Sequence, residues 1–244
     1  MKKKGIIGVL VTVVFVAIGG MAGRFLGEKA VDTVVSMENK KELNEMIEDN
    51  EEINGSYESG SLSSESYESE FWNLKFDFTD GWTSYTDEEL KNATEMIQQS
   101  AYSSGMASVE GQNVDESLVQ QMFDSMYIQA EMGATYEEEG IICGECTMSV
   151  MGGAGYGDMD IETMIAVNTA AMAGMAEGLE TGTQTIAGQE FSYFKMIIPG
   201  EGFDITSYSY FTKKDDMICT INCKFITGYE NVLDSFLAKM ESLN

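Results

Sequence analysis

A run of nineteen uncharged residues, Gly5 to Gly23 (GIIGVLVTVVFVAIGGMAG), lies between Lys2, Lys3 and Lys4 on one side and Arg24 on the other. As a helix it reaches about 28 Å, close to the ~30 Å of a bilayer's hydrocarbon core. The run predicts a transmembrane helix over residues 5–23 behind a short cytoplasmic N-terminus, residues 1–4. Three lysines and the terminal amine outweigh the mixed Arg24, Glu28, Lys29 and Asp32, so the charge bias holds the N-terminus in the cytoplasm and sends the chain after about residue 30 outward. A cleaved secretory signal is the alternative. Its basic start and apolar centre fit, and Gly20-Met21-Ala22 offers small residues for cleavage. Against it, the run exceeds a signal core of about 7 to 15 residues and no A-x-A site follows. The first reading anchors an extracytoplasmic chain in the cell membrane; the second secretes it.

Residues 24–70 read as an acidic stalk and linker. Glu38 to Ile53 is charged and helix-prone, with Leu43, Met46 and Ile53 giving a broken heptad. Asn54 to Glu70 (NGSYESGSLSSESYESE) is rich in Ser, Glu and Gly and poor in aliphatics, the composition of a flexible spacer. Residues 71–244 remain, a length that makes one domain with a sizeable core. They hold 28 acidic and seven basic residues, a net charge of −21. A surface that negative repels phosphate backbones, which excludes nucleic acid and leaves an extracytoplasmic protein or small molecule as the partner.

Within the domain, Trp72, Leu74, Phe76 and Phe78 alternate with polar residues as in a half-buried strand, which Asp80-Gly81 breaks before Trp82. Thr86 to Glu89 is a capping box for a helix whose inner face is Leu90, Ala93, Ile97 and Ala101. A second helical pattern covers about 115 to 131, with Leu118, Met122, Met126 and Ala130 on one face. Residues 141 to 151 read as a strand, and a third helix runs from about Asp160 to Leu179. Strands then follow at about 183 to 198, 204 to 212 and 217 to 226, with a hairpin turn at Lys213 to Asp216. In the last strand Met217, Cys219, Ile221, Cys223 and Phe225 share one face and Thr220, Asn222 and Lys224 the other, so it is expected at the centre of a sheet. A second capping box, Thr227 with Glu230, is expected to open a terminal helix whose apolar stripe, Tyr229, Val232, Leu233, Phe236, Leu237 and Met240, lies on that sheet.

This order resembles the PsbP-like fold, an α+β sandwich found in the extrinsic photosystem subunit and in bacterial secreted or membrane-anchored proteins. The residues that carry the resemblance are Asp80-Gly81-Trp82, Gly188 and the final strand and helix, over residues 71–244; the proline that usually precedes Gly-Trp is absent. The resemblance implies an antiparallel sheet packed against helices and an accessory or binding role, and it transfers no catalytic residue.

The chemistry-bearing residues give no reaction. With no histidine in the chain, the usual general base, the serine or cysteine triad and the usual catalytic zinc set are missing. Cys143-x-x-Cys146 and Cys219-x-x-x-Cys223 suggest zinc, yet Cys219 and Cys223 lie about 13 Å apart along a strand, too far to share one metal or one disulfide. Cys146 is expected on the inner face, where it either stays a buried thiol or forms a disulfide with Cys219 or Cys223. The glycines from Gly152 to Gly157 fit neither dinucleotide nor P-loop spacing. Asp158, Asp160 and Glu162 lack the glycine and distant glutamate of a calcium loop, and Ser192-x-x-Lys195 falls on a strand that turns the two side chains apart. No catalytic, cofactor-binding or metal-ligating residue is assigned, and no cofactor is expected. Trp82, Asn168, Met172 and Tyr208 are the candidates for a partner surface; Asn168 is the polar member of a stripe with Met164, Met172 and Met175. The sequence thus predicts a non-catalytic binding or envelope accessory module. The alternative is a secreted or anchored hydrolase using a pair of carboxylates, which plentiful acidic residues permit and spacing does not locate.

Overall fold

The strand expected at the centre is there. In a computed structural model, which describes residues 40–108, 115–153, 156, 158, 160–172, 174, 176–200 and 202–243, Met217–Ile226 pairs on both sides within a seven-stranded antiparallel sheet. The apolar run 5–23 and residues 24–39 lie outside the described residues. No helix among those described is long and apolar enough to cross a membrane.

The helices are α1 (Lys40–Ser56), α2 (Asp87–Ser108), α3 (Glu116–Ser125), α4 (Ile161–Met172) and α5 (Asn231–Lys239). The strands are β1 (Ser61–Leu62), β2 (Ser66–Ser69), β3 (Leu74–Asp77), β4 (Trp82–Ser84), β5 (Tyr127–Glu138), β6 (Ile141–Gly152), β7 (Glu177–Ile186), β8 (Gln189–Ile198), β9 (Ile205–Lys214), β10 (Met217–Ile226) and β11 (Met240–Glu241). The large sheet runs β4-β5-β6-β10-β9-β8-β7 and a smaller one runs β1-β2-β3-β11. The fold is α+β, with antiparallel sheets packed against helices.

Two apolar layers hold it. Cys146, Met148, Ile221 and Tyr210 of the large sheet meet Tyr67, Leu74 and Phe76 of the small one, together with Val232 and Phe236 of α5. On the opposite face Ala93, Ile97 and Ala101 of α2, Met122 of α3 and Met164 of α4 cover Met151, Phe194, Phe211 and Ile218. Short hairpins follow from backbone chemistry. Ala187 and Gly188, and likewise Glu139 and Gly140, all take positive φ, the conformation of the two-residue turns that match the twist of paired strands.

Four details depart from the sequence reading. Residues 54–70, expected as a flexible spacer, carry β1 and β2, and Tyr67 is fully buried; two tyrosines in a polar segment outweigh its composition because both find a partner, described below. The helix expected over 115 to 131 ends at Ser125, and β5 takes its place. Met126 and Ala130 extend the helical spacing only by coincidence, whereas Ile128, Met132 and Ala134 are strand positions paired to β6. The helix expected to reach Leu179 stops at Met172, since residues from Glu177 pair with β8. Finally, Thr227 does not cap α5: its hydroxyl meets that of Thr206 at 2.9 Å, and Glu230 Oε1 accepts from the Gly228 N–H instead. The Thr86 box does form, with Glu89 Oε2 accepting from the Thr86 N–H at 2.8 Å and Thr86 Oγ1 from the Glu89 N–H at 3.3 Å.

Candidate functional site

The large sheet is apolar on one face and polar at the centre of the other. Alternation along β6, β10 and β9 sends Cys146, Ile221 and Tyr210 to the sandwich core, so their neighbours must point to the helices. Those neighbours fall into register as rows. Glu145 lies opposite Lys224, and Lys224 opposite Ser207; Thr147 lies opposite Asn222, and Asn222 opposite Ser209; Ser149 lies opposite Thr220. At strand and residue spacings this floor measures about 10 Å by 14 Å. Ile205 and Ile226 border it at one end, Met151 and Ile218 at the other. Of the helices on this face, α2 packs along β5, α4 along β8 and β9, and α1, with Met46 and Ile47 in the same apolar layer, meets β6; β6 and β10, which carry most of the floor, lie between β5 and β9.

Every member is buried, Glu145 at 2%, Lys224 at 1% and Asn222 at 2% exposure. Yet Ser209 Oγ donating to Asn222 Oδ1 at 2.7 Å is the one hydrogen bond recorded between two floor side chains. Both carboxylate oxygens of Glu145, Lys224 Nζ, Asn222 Nδ2 and the hydroxyls of Ser149, Ser207 and Thr220 have no partner. Two more unpartnered hydroxyls come from the helix side of the sheet: Thr169 on α4, and Tyr85, whose ring lies over Gly133 beside Thr147. At about 1–3 kcal/mol for each buried group left without a hydrogen bond, the nine atoms together would cost about 10–25 kcal/mol. That matches or exceeds the whole net stability of a usual domain, about 5–15 kcal/mol. A floor of this kind is built to meet polar matter, water or a ligand, rather than apolar side chains. Burial pushes the Glu145 carboxyl up to about 7 and the Lys224 ammonium down to about 7, and their mutual attraction only partly opposes each shift.

The other buried carboxylate behaves differently. Ala130 pairs with Ser149 and Met132 with Met148, so Glu131 is an extra residue, a bulge that turns its side chain into the sandwich. There Glu131 Oε1 accepts from Tyr57 at 2.7 Å and Tyr127 at 3.1 Å, and Oε2 from Tyr67 at 2.7 Å and the Gly60 N–H at 3.1 Å. Trp72 Nε1 donates to the Tyr57 hydroxyl at 3.0 Å. Burial first, then the Glu131 charge, raises all three phenols far above their ordinary value, so they remain donors. This carboxylate is saturated; it fastens residues 57–72 to β5.

Of the residues singled out from sequence, Trp82 is a correction: at 4% exposure it is core, packed on Phe76 and Phe236 with Nε1 donating to Ser235 Oγ. Tyr208 is half-buried on the sandwich face, 5.7 Å beneath Lys195 Nζ. Met172 packs on the opposite layer, and Asn168 lies in α4 with its side chain outside the described residues. They do not form one patch. The four cysteines are free thiols in one buried cluster. A bulge at Cys143, between the pairs Tyr136 with Gly144 and Glu137 with Ile142, brings it to the same side as Cys146. Register sets Cys146 opposite Cys223 and Cys219 opposite Val150, so the first pairing is within reach and the second is not. Among the described residues no group of three or more acidic or cysteine side chains is placed to hold a metal.

A groove of 600 Å³ lies between α2 and α3. Its amides are already engaged, Gln98 with the Ile128 carbonyl and Gln120 with Asp124, so it offers less to a ligand than the floor. Sequence reasoning placed Thr220, Asn222 and Lys224 on one face but left them unused; three polar residues facing away from the core on a strand expected at the sheet's centre were the available signal.

No known protein family matches the chain, and no curated protein matches it. Among solved structures, a protein of Bacteroides thetaiotaomicron VPI-5482 is similar over 75% of this chain at 12% identity and a TM-score of 0.39. The match spans 50% of that protein's own length. LpqN of Mycobacterium tuberculosis, involved in cell envelope biogenesis, is similar over 47% of this chain and 77% of its own at 8% identity and a TM-score of 0.32. Likenesses at this level leave function to be argued from the site.

Proposed function

We propose that this chain is a non-catalytic binding module, held outside the cytoplasm by the apolar run at residues 5–23, that receives a small polar ligand on the floor formed by β6, β10 and β9. The observation that carries the reading is the concentration of unpartnered polar atoms there: nine of the ten found among the described residues belong to the floor or to Tyr85 and Thr169. The sequence reading of the architecture as PsbP-like accompanies it, as a fold suited to an accessory role in the envelope. The hydrolase reading has less support. Its chemistry needs two carboxylates facing one substrate, about 5 to 9.5 Å apart, and the two buried ones among the described residues, Glu131 and Glu145, project from opposite faces of the sheet.

The test uses the full chain in detergent, heated in the presence of amino acids, sugars, polyamines and small carboxylic acids. At least one compound raises the unfolding temperature of the native chain and fails to do so for Asn222→Leu. A panel without any such compound sinks the reading, and turnover of a glycan or peptide in the same preparation revives the hydrolase. Protease applied to intact cells reports the side of the membrane independently: cleavage of the domain only after lysis contradicts the proposed topology.

A further inference from the structure

The floor carries one acid and one base, side by side in register, and neither is hydrogen-bonded to the other or to anything else. A ligand with a single charge satisfies one of them and leaves the other buried without a counter-charge; a neutral polyol leaves both. Such a residue of uncompensated charge is among the costliest things to bury. A molecule bearing an anionic and a cationic group on one carbon cancels both at once. Directly opposed residues on neighbouring antiparallel strands hold their Cβ atoms about 5 Å apart, a separation suited to an ammonium and a carboxylate attached to one carbon, and not to the distant termini of a peptide.

The remaining rows say what the rest of the ligand is. Beyond Glu145 and Lys224 on one side stand Ile226 and Ile205; on the other stand Thr147, Asn222 and Ser209, and after them Ser149 and Thr220. Asn222 Oδ1 is taken by the Ser209 hydroxyl, so its unpartnered Nδ2 is a donor that requires an acceptor. It lies two residues along the strand from Lys224, about 7 Å away, within reach of a short side chain. The other floor groups in these rows are hydroxyls, and Lys224 is the floor's one cation. A second carboxylate on the ligand therefore has no base to meet, and a neutral hydroxyl or amide is the matching group.

We propose, resting on the reading of the floor as a binding site, that it takes a free α-amino acid with a short neutral polar side chain, its carboxylate on Lys224, its ammonium on Glu145 and its side-chain oxygen on Asn222. No bond is made or broken; the step is recognition.

The experiment is titration calorimetry of the full chain in detergent with L-serine, L-threonine, L-asparagine and L-glutamine. Each is compared with its N-acetyl form, which lacks the ammonium, and its carboxamide, which lacks the carboxylate; D-glucose and putrescine are run alongside. At least one amino acid binds saturably, and both of its derivatives bind weaker by about tenfold or more, the order expected for losing a charge-assisted hydrogen bond. Glu145→Gln abolishes the preference over the N-acetyl form and Lys224→Met the preference over the carboxamide. The comparison of derivatives on the unaltered chain stands even where a variant does not fold. Equal binding of a derivative, or binding untouched by both substitutions, overturns the proposal. If D-glucose or putrescine binds and no amino acid does, the amino-acid assignment falls while the binding-module reading survives. If nothing binds, both fall.

Discussion

Lys224 stands directly across the β6–β10 ladder from Glu145, each on the helix side of the sheet and each almost wholly buried. Their opposed shifts give the domain an unusual dependence on pH. The Glu145 carboxyl, raised from 4.5 to about 7, binds its proton more tightly folded than unfolded, so between those values stability falls as pH rises. The Lys224 ammonium, lowered from 10.5 to about 7, releases its proton more readily when folded, so above about pH 7 stability climbs again. With Tyr85 the neighbouring phenol on that side, and the Cys146 and Cys223 thiols across the sheet, the unliganded chain should show a minimum in unfolding temperature near neutrality. Glu145→Gln removes the acid limb and Lys224→Met the alkaline one; a single maximum near pH 7 in thermal scans contradicts the pair's burial.

The tyrosines around Glu131 give a second prediction. Tyr67→Phe takes one donor from a buried carboxylate and should cost about 1–3 kcal/mol. Glu131→Leu, which strands three phenols, should cost more and also loosen residues 57–72 from β5. Faster amide exchange confined to β1 and β2, with β6 and β10 still protected, is the expected signature.

Gly133→Ala places a methyl group against the Tyr85 ring, and overpacking of this kind costs about 1–3 kcal/mol. Urea unfolding measures it. Tyr85→Ala in the same chain should recover most of that loss, because the three atoms nearest the new methyl all belong to that ring.

Trp82 and Tyr208 separate core from surface. Trp82→Ala removes a buried ring and an indole hydrogen bond and should destabilise by about 3–5 kcal/mol, while Tyr208→Ala, half-buried, should cost clearly less. Similar losses at both positions, measured by denaturant titration, would place Tyr208 in the core as well.

Burial raises the thiols of Cys146, Cys219 and Cys223, and also that of Cys143. All four should resist alkylation in the native chain and react fully in denaturant, the thiolate being the nucleophile. Oxidation during refolding should link Cys146 to Cys223 and no other pair, as peptide mapping by mass will report.

Much of this fold was legible in the sequence because it rests on short periodicities. The two-residue alternation of Met217 to Phe225 placed β10 at the sheet's centre with its faces correctly assigned, and the spacing of Ala93, Ile97 and Ala101 gave the buried side of α2. What misled was signal that depends on partners remote in sequence. Tyr57 and Tyr67 sit in a polar segment, and only Glu131, more than sixty positions away, makes their burial favourable. β5 was hidden for a related reason, since its bulge breaks the alternation by which a strand is recognised. The candidate site was half visible: one strand displayed Thr220, Asn222 and Lys224, but Glu145 and Ser207 joined them only through register.

The bulge at Glu131 also separates two properties that are usually inseparable in a strand. Ile128 and Ala130 face the helices, while Met132 and Ala134 face the sandwich. Omitting Glu131 would therefore leave each of these on its present side and the ladder to β6 continuous. The residue is surplus to the sheet and indispensable to the tyrosines. A single-codon deletion would thus release residues 57–72 from β5 without disturbing the ladder to β6, leaving that segment held by the pairing of β2 with β3.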